Sequence, residues 1–488
     1  MAFGILDVTK IDFSQKDKIE TIYQNIKKSN NDSWQYKDEF TEVVKKTFAE
    51  DKTLDWEKIP EIKIYQLIGQ RILELKTEKF YNTPSTTEEL VAYTVELYKT
   101  IFTMGPLEEL LKDEDVTDII IHSYDNISIA RRSKNGLEKF NQKFSSDEQL
   151  KGIMSNILSR YNSIQVDQAH PIRDGILSNG ERLLVVISPI AVNGTVAIIR
   201  KQSKRIFKPE DLIKFKSFNQ NANKFMELSV QSECNTVIVG ATGSGKTALV
   251  SALLNYIPKD EHTLIIEDTI ELQVPETHKN VTNYKTRINE ENPDTNVTIY
   301  DLLKAALRSF PKYIIVGETR GAEAWEMLQA MKSGHSGITT IHAEDGPDAI
   351  SRLEGMMMLA KNDIDIEYLR RDLAQVMDLF IIQKWIGRKE DNTYRRGISA
   401  IYEITPSIEK ENEMLEDIIP NTTTLTREKI LKDNPKFVQS YGSATLRKIF
   451  YYDYDADELL PGVLPSDKLM DKFKEKGLYE DFKKVFNI

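Results

Sequence analysis

Five apolar runs punctuate the middle of the chain, TVIVG, TLIIED, YIIVGE, GITTIHA and DLFIIQKW, spaced about 25 to 50 residues apart. Between them apolar positions recur with helical spacing, as in ALVSALLNYI and IYDLLKAALRSF. Short buried runs alternating with amphipathic stretches predict a mostly parallel sheet covered on both faces. Such a sheet collects its chemistry at the carboxyl ends of its strands. Each run does end in polar or charged residues.

Upstream the pattern is different. IYQNIKKSNNDSWQYKDEFTEVVKKTF and IYQLIGQRILELKTEKF are rich in lysine and glutamate, have helical spacing, and predict a helical extension over residues 1–84 with no catalytic constellation. Ser85-Thr86-Thr87-Glu88 then reads as a capping box opening a helix through LVAYTVELYKTIF. Gly105-Pro106 breaks that helix and LEELLKD makes a short one. VTDIIIH, NISIARR, ERLLVVISP and TVAIIRK read as strands and DEQLKGIMSNILSRY as a helix, giving an α+β N-terminal domain over 85–205. FKPEDLIKF marks a linker at 206–217, the parallel-sheet domain takes 218–405, and IEKENEMLEDIIP, FYYDYDADELLPG and LPSDKLMDKFKEKGLYEDFKKVF predict a mainly helical region over 406–488.

Composition narrows the class. A chain of 488 residues is too long for one core, and 40% hydrophobic with 29% charged residues describes a soluble globular protein. No apolar run approaches the ~20 residues that span a bilayer; Leu183 to Val192 is among the longest and contains Pro189. The start MAFGILDVTK lacks the basic and apolar regions of a signal peptide. One cysteine, Cys234, excludes an internal disulfide and a cysteine zinc cluster. A net charge of −11 argues against a chain built to coat nucleic acid or anionic lipid.

The first run opens into GATGSGKT, that is Gly240, Ala241, Thr242, Gly243, Ser244, Gly245, Lys246 and Thr247, followed by Ala248. Gly, four residues, then Gly-Lys-Thr is the spacing of a P-loop. Its backbone N–H groups and the following helix N-terminus cradle phosphate, the lysine reaches the terminal phosphates, and the threonine hydroxyl takes a position on Mg²⁺. A glycine-rich structural turn is the bland alternative. The second run ends in Glu267, Asp268 and Glu271, three carboxylates at one strand end, suited to orienting a water that attacks a phosphate or else to a solvated turn. The third ends in Glu318, a hydrophobic strand closing on an acid that would hold Mg²⁺ with Thr247. His335 and His342 share the fourth run. Seven residues apart and with no nearby cysteine, they do not make a zinc pair. His342 instead sits where a neutral imidazole can bond a phosphate or a carboxylate, and His335 reads as structural.

Taken in order, GATGSGKT, IIEDTIEL, ALRSFPKYIIVGETRGAEA and MKSGHSGITTIHAE resemble the Walker A, Asp box, Walker B and His box of the secretion or traffic ATPases, which serve type II and type IV secretion, conjugation, type IV and Tad pilus assembly and archaeal flagella. GPLEELLKDEDVTDIIIHSYDNISIARR is similar to the start of that family's N-terminal domain, and SNGERL with VAIIRK to its arginine-bearing end. The resemblance spans about residues 85–405 and implies a RecA-like P-loop NTPase domain behind a PAS-like N-terminal domain.

It further implies ATP and Mg²⁺ as ligands, Lys246 and Thr247 as phosphate and metal contacts, Glu271 as catalytic glutamate, Glu318 as the Walker B acid, His342 as the His-box histidine, and Glu267 and Asp268 as supporting acids. Arginines that reach the nucleotide from the N-terminal domain or a neighbouring subunit would be among Arg182, Arg200, Arg308 and Arg320, with a plain salt bridge the alternative for each. The implied assembly is a homo-hexamer docked on a polytopic inner-membrane platform protein, hence cytoplasmic and peripherally membrane-associated, with each nucleotide between the two domains of a subunit. Lys312 and Ala248 depart from the family pattern without touching the core chemistry. The missing cysteines exclude the zinc module of the type II branch and leave the type IV secretion or Tad-like branch. A pilus or protein-secretion motor is thus the leading function; the ATPase of a conjugative system, a RecA-like nucleic-acid motor and a nucleotide-gated module without turnover are the alternatives. Direct nucleic-acid binding is not expected.

Overall fold

The computed structural model describes residues 6–29, 36–50, 59–134, 136–144, 146–162, 164–177, 180–201, 206–275, 277–288, 292–361, 363–387, 394–407 and 437–488. They belong to two units, Met1–Gln202 and Ser203–Ile488.

In the first unit, helices α1 (Lys16–Ser29), α2 (Lys37–Glu50), α3 (Glu61–Lys79) and α4 (Thr87–Phe102) surround a core containing Phe13, Phe40, Ile68, Ile72 and Leu90. A capping box starts α4 one residue later than predicted. Thr86 Oγ1 accepts from the Glu89 N–H at 3.1 Å, and the Glu89 carboxylate reaches back to the N–H groups of Ser85 and Thr86. The shift leaves Glu88 exposed and makes Leu90 the first buried residue of the helix. Glu96 is the polar tie of this core: the Tyr23 hydroxyl donates to it at 2.6 Å and Lys37 Nζ at 2.5 Å, so one buried carboxylate joins α1, α2 and α4.

After α5 (Glu108–Lys112) come β1 (Val116–Ser123), β2 (Asn126–Arg131), β3 (Leu137–Phe140), α6 (Asp147–Asn162), β4 (Ile172–Ile176), β5 (Arg182–Val186) and β6 (Val196–Arg200). The strands form an antiparallel sheet in the order β3-β2-β1-β6-β5-β4. Helix α6 packs Leu150, Met154 and Leu158 with Ile119, Ile121 and Ile199. The four strands expected from apolar alternation are β1, β2, β5 and β6. The outer strands β3 and β4 escape a reading by hydrophobicity because neither buries a single residue.

The second unit begins with α7 (Pro209–Lys214) and α8 (Gln220–Gln231) and contains all five predicted runs as strands: β7 (Thr236–Val239), β8 (Thr263–Glu267), β10 (Tyr313–Val316), β11 (Ser336–Ile341) and β12 (Leu379–Gly387). With β9 (Val281–Lys285) they lie parallel in the order β9-β8-β10-β11-β7-β12. Alternate residues serve opposite faces. Ile238, Ile265 and Ile315 join one core with α8 and α9 (Lys246–Leu253). Val237, Leu264 and Ile314 join the other, under α10 (Ile299–Ala306), α11 (Glu323–Lys332), α12 (Gly346–Ala360) and α13 (Ile366–Val376).

Beyond β12 the sheet continues antiparallel through β13 (Tyr394–Pro406), β15 (Ala444–Asp453) and β14 (Val438–Tyr441), with β16 (Glu458–Pro461) beside β15. This corrects the expectation of a mainly helical region over 406–488: its described part carries three strands before α14 (Asp467–Glu475) and α15 (Tyr479–Phe486). The cause is a period of two that begins at Phe450 and runs to Asp453. Phe450 and Tyr452 enter one core while Tyr451 stacks on Phe437 with ring centroids 4.8 Å apart. IEKENEMLEDIIP lies outside the described residues. No helix among the described residues is long and apolar enough to cross a membrane.

Glu403 on β13 is 1% exposed; the Ser466 N–H donates to it at 2.7 Å and the Ser466 hydroxyl donates to its other oxygen. Burial outweighs these bonds and pushes the carboxyl from 4.5 up to about 7. Folding therefore takes up a proton, and the resulting stability is complete below pH 4.5 and lost as pH rises through about 7. Glu403→Gln mimics the protonated side chain. Urea unfolding should show the variant gaining on the parent by up to about 3 kcal/mol between pH 5 and pH 8, whereas a constant difference between the two chains would contradict the assignment.

Candidate active site

Strand β7 delivers the chain into the loop from Gly240 to Thr247, and α9 starts at its end. The Gly240 N–H donates to the Ile341 carbonyl on the neighbouring strand at 3.3 Å. A Cβ on Gly240 would run into the Gln383 carbonyl oxygen, so no side chain fits there. Gly243 and Gly245 hold φ values of +73° and +99°, which other residues rarely adopt. Gly245 is the N-cap of α9 and supplies no side-chain cap, which leaves the helix N-terminus available to an anion. Ala241 and Thr242 are exposed at the rim, while Thr247 and Ala248 sit half-buried on the first turn of α9. Ser244 is buried, and its hydroxyl has no partner among the described residues. Uncapped helix, glycine cradle and lysine together fit a polyphosphate.

A hydrogen-bonded chain runs from that loop across two neighbouring strand ends. Lys246 Nζ, largely buried, donates to the carbonyls of Gly240 at 2.8 Å and Ala241 at 3.1 Å and lies 3.3 Å from His342 Nδ1. His342, just past β11, has its Nε2 3.0 Å from Glu318 Oε1, just past β10. Glu318 Oε2 in turn accepts from Arg320 at 2.8 Å. An ammonium can only donate, so Nδ1 of His342 accepts and Nε2 carries the proton toward Glu318. Burial and the Lys246 charge hold the imidazole below its ordinary pKa, against the pull of Glu318, and keep it neutral. Burial would raise the Glu318 carboxyl, but Arg320, His342 and Lys246 together hold it below the usual range, so it stays an anion. Thr247, on the first turn of α9, and Glu318, just past β10, offer the hydroxyl and carboxylate oxygens that Mg²⁺ prefers.

Glu267, the last residue of β8, is buried, and its Oε1 accepts the backbone N–H groups of Glu271 and Leu272, both at 2.9 Å. It thereby shapes the turn that presents the half-buried Glu271. Asp268 is exposed and accepts from the Thr286 hydroxyl at 3.2 Å. The Arg320 guanidinium is held charged by Glu318 first, and lies in the field of Asp268 and Glu271 as well. The loop, His342, Glu318, Glu267, Asp268, Glu271 and Arg320 thus lie within one unit.

One candidate arginine of this unit does not join them. Arg308 is exposed before the amino end of β10, one strand length from Glu318. Arg182 and Arg200 belong to the other unit, directly opposite each other on β5 and β6, with Arg200 Nε 3.9 Å from Asp118. His335 is bonded in the turn before β11, 3.2 Å from the Ala330 carbonyl. Among the described residues no cluster of three His, Cys, Asp or Glu side chains is arranged to hold a metal. Sequence reasoning missed Arg396 on β13, whose Nε donates to the Gly243 carbonyl at 2.9 Å. No motif contains it; its one signal is a hairpin register that pairs it with Trp385.

A family model described as type II/IV secretion system protein matches residues 102–424. A curated protein of Methanocaldococcus jannaschii, described as uncharacterized, is 34% identical over 51% of this chain, and the match takes in 35% of its own length. The type IV secretion system protein VirB11 of Bartonella henselae is 30% identical over 59% of this chain and 89% of its own. The crystal structure of the VirB11 ATPase of the Brucella suis type IV secretion system aligns at 27% identity with a TM-score of 0.33, over 62% of this chain and 94% of that one. The chain thus spans about a third of the first relative and about half of a second from the same archaeon.

The bonds of Glu267 predict a graded response. Glu267→Ala leaves two N–H groups without their acceptor and should lower the stability of the second unit by about 2–4 kcal/mol in urea unfolding. Glu267→Gln keeps an oxygen that accepts both and should lose about 1 kcal/mol or less. Equal losses would mean that the charge matters and the N–H acceptance does not.

Proposed function

Since the chain belongs to the type II/IV secretion system protein family, we propose that it hydrolyses ATP with a RecA-like P-loop domain and drives a secretion or pilus machine from the cytoplasmic side of a membrane. The observation that carries the proposal is the run Lys246–His342–Glu318–Arg320 at the ends of neighbouring parallel strands. Bound Mg²⁺, held by Thr247 and Glu318, would neutralise charge on the phosphates. Lys246 exchanges the loop carbonyls for the terminal phosphates. Glu271 orients a water in line with the γ-phosphorus; as the P–O bond to the leaving ADP breaks, the water's proton passes by way of Glu271 to the phosphate released. Neutral His342 bridges Lys246 and Glu318 and so registers movement of either.

In this reading the chain works as a homo-hexamer on a polytopic membrane protein, with a PAS-like N-terminal domain over 85–205 and the segment 206–217 as hinge. Arg182 and Arg200, directly opposite each other on β5 and β6, are that domain's candidates for contacting the nucleotide. Arg308, exposed and remote from the loop of its own unit, suits a contact across subunits. The relative named VirB11 is a type IV secretion protein. That name keeps a conjugative, DNA-transferring machine as the second reading.

Lys246→Ala should abolish ATP binding in an equilibrium titration, because the one ammonium inside the loop is lost; undiminished binding would remove the basis for the proposal. Glu271→Gln should retain ATP affinity and reduce turnover by about 10²-fold or more. Phosphate release at the parent rate would place the water-orienting group elsewhere.

A further inference from the structure

We propose that Arg396 is a positioning residue of the P-loop, holding it from outside while Lys246 holds it from within. The inference rests on the ATP-site reading above. The two cations divide the loop's carbonyls: Lys246 takes those of Gly240 and Ala241, and Arg396 Nε takes that of Gly243 at 2.9 Å. Lys246 has to leave its carbonyls to meet a phosphate. Arg396 does not, so the Gly243 peptide stays held while the lysine moves, and the N–H groups after it keep their aim.

The half-buried side chain is held at several points. It lies over the Trp385 ring at 4.5 Å, in the cross-strand position directly opposite on β12. Its stem packs where Gly245 lacks a side chain; a Cβ there would stand 3.2 Å from Arg396 Cδ. Its own carbonyl accepts from the buried Ser217 hydroxyl at 2.7 Å, and the Ile398 N–H donates to the Ser217 carbonyl at 2.8 Å. The preceding residue, Arg395, is buried and bound by both oxygens of Asp457, at 2.9 and 2.8 Å. Backbone and guanidinium are therefore set before any ligand arrives, which is the condition for a positioning role. Arginine suits it better than lysine, because a planar fork can stack on an indole and donate in its own plane at once.

The test titrates a fluorescent ATP analogue with Mg²⁺ into the full chain, with the parent, Lys246→Ala, Arg396→Ala, Arg396→Lys and Trp385→Phe measured alongside. Arg396→Ala should weaken binding and raise KM for ATP on the order of tenfold, the loss expected for a charged hydrogen bond, with kcat within about twofold of the parent. Melting without nucleotide should stay near that of the parent. Arg396→Lys should fall between the two, and so should Trp385→Phe, whose smaller ring offers the guanidinium a weaker face. Parental affinity in Arg396→Ala would overturn the proposal. Should that variant not fold, parental affinity in Arg396→Lys overturns it equally, since the fork would then play no part. No ATP binding by the parent would sink the ATPase reading and this inference with it.

Discussion

A parallel sheet covered by helices on both faces has no place for a charge along its strands, and that constraint orders the whole second unit. β7, β10 and β11 carry no charged side chain. Charge can appear only where the strands end. At the carboxyl ends it gathers as Lys246, Glu318, His342 and the Asp-box acids, each near enough to the next to share hydrogen bonds or fields. At the amino ends it is neutralised: Lys472 of α14 bonds the buried Asp378 at 2.5 Å, and Lys312 meets Glu233 at 2.7 Å. One rim is free for chemistry because the other is closed by ion pairs.

The contrast between the two sheets explains what the sequence made legible. Strands buried on both faces write uninterrupted apolar runs, and all five such runs are where the pattern placed them. Edge strands bury little and write nothing comparable, so β3, β4 and β9 leave no trace that hydrophobicity could follow. The misreading after residue 406 has another source. Aromatics followed by acids can be read as a packed helix, but from Phe450 on the burial alternates, with Phe450 and Tyr452 buried and Tyr451 and Asp453 half-buried.

The same distinction runs through the site. Glycine, lysine and acid at fixed spacing carry their geometry with them, because the turn and the strand ends that place them are set by local sequence. Glu267 was legible as an acid but not as the acceptor for two backbone N–H groups, which depends on how the turn to Leu272 closes. Arg396 was not legible at all. Its contact with Gly243 joins positions 153 residues apart, through a hairpin register that only the folded sheet defines.

The aromatic cluster of Phe225, Phe450, Phe473, Phe482 and Phe486 has a consequence for how the molecule is made. It lies in the same core as Ile238 of the P-loop strand, yet its last member is translated about 250 residues after that strand begins. At ribosomal speeds of ~5–20 residues per second, that face of the sheet, which α8 and α9 already line, waits roughly 12–50 s for these last helices. The helical part of the first unit has no such delay, since its cluster closes on residues before 103. A nascent chain is thus most exposed to chaperones and to its neighbours on the polysome while the loop from Gly240 to Thr247 exists but the core behind it, lined by α8 and α9, still lacks its C-terminal helices.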